Sequence, residues 1–229
     1  AGWNLAEEFV NMYIGHGGEF FEAGSAKPSI NNAKGVATLN MLKKLADLSN
    51  PDYLTHDSEA IKVEWEAGNV AIMTLWASRS GTLLDDEGDA KITAATKLVA
   101  PATVGGGNIP AATLWWDGFT LAKNRPDADA EASFRAMAHA ASSKEMVAKA
   151  ADQAVWLVEG FVPGPKSVGV IEAVKMGAKP YPMLPQMGLM HGALGNEIVE
   201  FLQGNETAEQ ALKDVEAAYN TKAKEQGFL

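Results

Sequence analysis

Two apolar runs too short for helices, Val70–Leu75 in "NVAIMTLWASRSG" and the start of "ATLWWDGF", each end on tryptophan. Bounded by Gly68 on one side and by "GGGNIP" on the other, they read as buried strands at 70–75 and 112–122, with a third short strand at 96–100 ending at Pro101. Around them the apolar residues recur with helical spacing. A helix is predicted over 4–14, with Asn4 as its cap and Leu5, Phe9 and Met12 on one face. Asn31 or Asn32 opens a second helix to about Leu48, with Val36, Leu39, Leu42 and Leu45 as its core stripe. A third runs from Asp57 to Ala67 and stops at Gly68. Strand and helix patterns that alternate in this way restrict the chain to an α/β fold.

From Pro126 the pattern becomes Ala-rich helix, with Asp127 and Asp129 suited to its positive end. Helices are expected at 127–141, 143–152, 168–176, 188–203 and 207–226. Gly204 ends the fourth of these, and Thr207 with Gln210 forms a capping box for the last. The three prolines of "KPYPMLPQ" mark an extended linker. The strands are few for 229 residues and the chain opens directly in a helix, so a missing N-terminal segment is expected.

Composition excludes several classes of function. A net charge of -10 argues against nucleic acid or an anionic membrane as partner, because both require a basic face. With no cysteine there is no disulfide framework and no thiol chemistry. No apolar run reaches the length of about 18 residues needed to span a membrane, and "AGWNLAEEF" has no signal-peptide pattern. His16, His56, His139 and His191 show no metal-ligand spacing, and phosphate-loop and nucleophile-elbow motifs are absent. Asp85, Asp86 and Glu87 read as a solvated acidic turn rather than a glycosidase pair. No catalytic residue, metal or cofactor is expected.

The order "GGEFF", "KPSINNAKGVATLNMLKKLADL", "EWEAGNVAIMTLW", "WWDGFTLAKNRPDADAEASFRAMAHAASSKEM", "GFVPGPKSV", "LPQM" and "FLQGNETAEQALKDVEAAYNTKA" resembles the C-terminal part of a family-one extracellular solute-binding protein. Such proteins are the carbohydrate-binding components of ABC importers. The resemblance implies a helix-rich, periplasmic-binding-protein-like α/β fold. It comprises the second lobe and part of the first, with the N-terminal portion missing. Residues 1–117 would begin the second lobe, 118–177 would cross the hinge and return to the first lobe, and 178–229 would supply the second lobe's C-terminal helices. The implied partners are a small carbohydrate held in an inter-lobe cleft, whose binding closes the hinge, and a membrane permease. The implied location is the periplasm, or outside the cell on a lipid anchor.

In open α/β sheets ligands collect beyond the carboxyl ends of the strands, which is where Trp76 falls. An indole matches the flat C–H face of a sugar, and Ser78 and Arg79 offer donors to its hydroxyl rim. Alternatively, Trp76 caps the core. Of Trp115 and Trp116, at most one faces a ligand if the strand is regular, and the other packs inside. Asp117 is either a bidentate acceptor for two hydroxyls or a turn residue, and Gly118 allows close backbone approach or hinge rotation. His191 stands where the family often carries an aromatic ligand contact, or else is a structural hydrogen-bonder. Trp3, with Asn4, matches a segment that often touches ligand. Trp65 and Trp156 are assigned to the core. The same fold holding a polyamine, an amino-acid derivative or a phosphodiester is an alternative. A glycoside-processing enzyme is another.

Overall fold

The structure is a computed structural model and describes residues 2–85 and 88–229. Asp86 and Glu87 of the acidic turn lie outside the described residues. The chain divides into two units: Ala1–Ile61, Pro101–Leu114 and Ala173–Leu229 form the first, and Lys62–Ala100 with Trp115–Glu172 form the second. Residues 62–100 therefore group with 115–172 and not, as expected, with 1–61. Contacts inside the second unit account for this. Lys166 reaches Asp85 at 2.6 Å, and the Ala100 amide donates to Glu172 at 3.2 Å.

The first unit is built on four helices: α1 (Gly2–Gly15), α2 (Ala33–Ala46), α9 (Met187–Leu202) and α10 (Ala208–Glu225). Their order along the chain also includes α3 (Ser58–Glu66), α4 (Ala77–Ser80), α5 (Ala90–Ala95), α6 (Asp127–Ser142), α7 (Lys144–Lys149) and α8 (Val168–Lys175). α10 carries one apolar stripe, Ala208, Ala211, Leu212, Val215 and Tyr219, at helical spacing. α1 and α9 are buried on most sides, and Phe9, Tyr13, Met190, Leu194 and Ile198 lie at the centre of the core. Asn32 caps α2 by accepting from the Lys34 and Gly35 amides, and Leu39 and Leu42 of the expected stripe are buried while Leu45 faces out. Asn4 is not a cap. It lies inside α1, which starts at Gly2.

Of the expected strands, only β1 (Thr113–Leu114) is one, paired in parallel with β2 (Lys179–Pro180), a pair that the prolines of the supposed linker conceal. Residues 70–75 and 96–100 form no ladder, the chain bends at residues 71 and 72, and Ile72 is 90% exposed. An apolar run becomes a strand only where a second edge satisfies its amides, and among the described residues none lies beside these two. β1 and β2 nevertheless position the site. Tyr181 follows β2 and donates its amide to the Leu114 carbonyl, while the Thr113 side chain meets α1.

The second unit is thinly packed. Its buried apolar side chains include Leu83 and Val147, and α6 buries none of its residues. Its local bonds are regular all the same. Trp65 donates its indole N–H to Thr96 Oγ1 at 3.0 Å, and Trp156 donates to the Ala150 carbonyl at 2.8 Å. Both rings are half-buried within their unit. No helix among the described residues is long and apolar enough to cross a membrane.

Candidate functional site

In the second unit two of the singled-out aromatics, Trp76 and Trp115, come together. Trp76 precedes α4, and its carbonyl accepts from the Arg79 and Ser80 amides at 2.8 Å. Because 70–75 is not a strand, the position of Trp76 is set by this helix start and not by a strand end. Its ring meets that of Trp115 edge to face, with centroids 5.5 Å apart and planes at 79°. Such T-shaped pairs place the positive edge of one ring on the negative face of the other and hold both rotamers. Trp115 stays 38% exposed.

Trp116 is 69% exposed and folds back over its own chain. A Cβ added at Gly118 would stand 3.0 Å from the far edge of the Trp116 indole, so glycine is what lets the ring lie there. The expectation that one of the pair packs in the core is corrected: neither does. β1 ends at Leu114, so strand alternation no longer governs residues 115 and 116. Arg79, Asp117 and Phe119 are exposed. The cluster thus presents aromatic surface with a guanidinium and a carboxylate on neighbouring residues. These are the groups that recognise a ring of C–H faces and hydroxyls.

In the first unit, Trp3 and His191 are neighbours. The rings are 4.4 Å apart and tilted by 35°. His191 is 3% exposed. Its Nε2 lies 2.9 Å from the Trp3 carbonyl and its Nδ1 3.0 Å from the Tyr181 hydroxyl. A carbonyl only accepts, so Nε2 carries the proton, and Nδ1 accepts from Tyr181. The imidazole is neutral, and burial holds its pKa below the usual histidine value. With both nitrogens engaged inside the protein, His191 presents no polar atom to a ligand. Trp3, 52% exposed, does present a face.

Tyr181 is also pushed well up from the ordinary phenol value, by burial and then by the nearby Glu7 carboxylate. Glu7 itself is buried on α1 and accepts from Thr113 Oγ1 at 2.6 Å. Thr113 Oγ1 also lies 2.8 Å from the Asn11 side-chain amide. The hydroxyl has one proton and two acceptors in reach, Glu7 Oε1 and Asn11 Oδ1, and lies closer to the carboxylate. Glu7, Asn11 and Tyr181 were not anticipated from sequence. Nothing local in "LAEEF" marks a buried carboxylate, and Tyr181 is hidden in the proline-rich segment.

No family model matches the sequence, and no curated protein matches it. Among solved structures the chain is similar to maltose-bound T. maritima MalE3, with a TM-score of 0.72 and 20% identity over 93% of this chain and 56% of that one. The chain therefore spans little more than half the length of that protein. At this identity the likeness carries the fold. The chain has a helix-rich α/β, periplasmic-binding-protein-like fold.

Proposed function

We propose that this chain belongs to the solute-capturing component of an ABC importer acting outside the cytoplasmic membrane, and that its solute is a carbohydrate. The carrying observation is the fold shared across 93% of the chain with a protein holding maltose. The surface chemistry supports the same reading. In the second unit, Trp76, Trp115 and Trp116 offer apolar faces on which pyranose C–H groups stack, with Arg79 donating to hydroxyls and Asp117 accepting from them. Gly118 leaves room for the Trp116 ring where it lies back over the chain. In the first unit, Trp3 is the ligand-facing ring, and His191 supports it from beneath. No bond is made or broken, and the solute passes on to a membrane permease.

Maltose is the first probe. Titrating it into the protein is expected to change tryptophan emission saturably. Trp76→Ala, which removes one indole and unseats Trp115, is expected to weaken binding by ~1–3 kcal/mol. A saturable response that Trp76→Ala leaves unchanged would take this cluster out of the site.

A further inference from the structure

In the first unit, the hairpin in which Phe21 bridges Pro28 and the segment 182–186 enclose a groove of about 440 Å³. Its floor carries a side chain that the fold does not use. Gln186 is 8% exposed and stands at the N-cap of α9, where a short acceptor is favoured, yet its side chain caps nothing. Among the described residues no other group takes up its amide, and the groove is where that amide meets solvent. An amide so deeply buried normally has a protein partner, and a ligand that supplies one accounts for it. The rim is acidic. Glu19 and Glu22 are exposed, Glu22 reaches Lys27 at 3.8 Å, and Glu19 pairs with no cation among the described residues. Leu184, 47% exposed, adds apolar surface beside them.

We propose that this groove docks an extended peptide segment of a partner protein, one that carries lysine or arginine. It stands independently of the carbohydrate reading above, since no residue of the two aromatic sites lines the groove. The chemistry selects the occupant. A primary amide sets a donor beside an acceptor, the complement of a backbone C=O and N–H. Two carboxylates favour an ammonium or a guanidinium through charge-assisted hydrogen bonds, and the aliphatic stem of either side chain fits over Leu184. Phe20 and Phe21 are buried, so a sugar finds no aromatic face there. An anion is disfavoured although a helix begins at Gln186. The rim repels it, and the first amides of α9 are already engaged: Met187 donates to the Leu184 carbonyl at 2.9 Å and Leu189 to the Gln186 carbonyl at 3.1 Å. A second copy of this chain is a poor occupant, because two molecules of net charge -10 repel.

The test is amide NMR of the whole chain titrated with a blocked Ala-Arg-Ala peptide. It follows the side-chain NH₂ signals of Gln186, assigned by their loss in Gln186→Leu. A saturable shift is expected from this peptide and none from a blocked Ala-Glu-Ala peptide at the same concentration. Glu19→Gln combined with Glu22→Gln is expected to weaken binding about tenfold, as loss of a charge-assisted hydrogen bond does. Gln186→Leu, followed at the backbone amides of the hairpin, is expected to weaken it about fivefold. The double variant alters exposed side chains only, so it carries the test even if Gln186→Leu does not fold. No shift at millimolar arginine peptide, equal shifts from both peptides, or unaltered affinity in either folded variant overturns the proposal. A shift of the Gln186 signals by maltose makes the groove a sugar site and overturns the peptide assignment too. Maltose binding elsewhere, or its failure, bears on the carbohydrate reading alone.

Discussion

Glu7 and Glu8 are adjacent on α1 yet differ in their partners. Glu7 is engaged by Thr113, whereas burial, and then repulsion from Glu7, push the Glu8 pKa up to about 7. An unfolded glutamate titrates near 4.5. Between those two values the folded protein keeps a proton that the unfolded chain has released, so stability falls as pH rises, and the loss is complete above the folded value. Glu8→Gln is therefore expected to flatten that slope. It should also make the protein ~1–3 kcal/mol more stable than the parent on the alkaline side, discounted for partial exposure. Urea unfolding at a series of pH values measures this, and an unchanged slope contradicts the assignment. None of this is visible in "LAEEF", because a carboxylate's burial depends on what packs over its helix. The tryptophans were easier to pick out, since their size and clustering marked Trp76, Trp115 and Trp116 as residues needing an explanation.

At the scale of elements, the decisive contact is the crossing of α1 and α9. A Cβ added at Gly195 would sit 2.4 Å from the Gly2 carbonyl oxygen, so the helices touch backbone to backbone there. Gly195 lies one turn beyond His191 on the same face of α9, and the close approach is what brings the Trp3 carbonyl within reach of the imidazole. Gly195→Ala is expected to push the helices apart and destabilise the first unit by ~1–3 kcal/mol, as overpacking in a core does. It should also alter Trp3 emission at neutral pH. Chemical denaturation and the emission spectrum check the two parts separately. The helices themselves were largely legible. Asn32 caps α2, Thr207 accepts from the Gln210 amide to cap α10, and Gly204 follows α9 with φ of +84°, because caps and periodicity act locally. The apolar patterns at 70–75 and 96–100 do not become strands because pairing is not a local property. The capping box is also only half made, since the Gln210 side chain turns to Asp214.

At the scale of the molecule, the two units differ in how they are held. The first has a continuous core of large side chains from α1, α2, α9 and α10. In the second, Val99, Phe119, Phe134, Leu157 and Val162 are exposed. Amide hydrogen exchange is expected to follow this contrast. Amides of α1, α9 and α10 should exchange slowly, and those of α6 and of 69–75 early. Equal protection in both units would contradict the packing described. The division of the chain was not legible either, because residues 62–100 join the second unit through contacts such as Lys166 to Asp85, between positions far apart in sequence. The proposed solute-holding role draws on fold and exposed indoles together. Isothermal titration of this chain with maltose tests it most directly. A saturable heat, weakened in Trp76→Ala, is the predicted result. No heat from maltose or from any other sugar, with the helical core intact by circular dichroism, would contradict it.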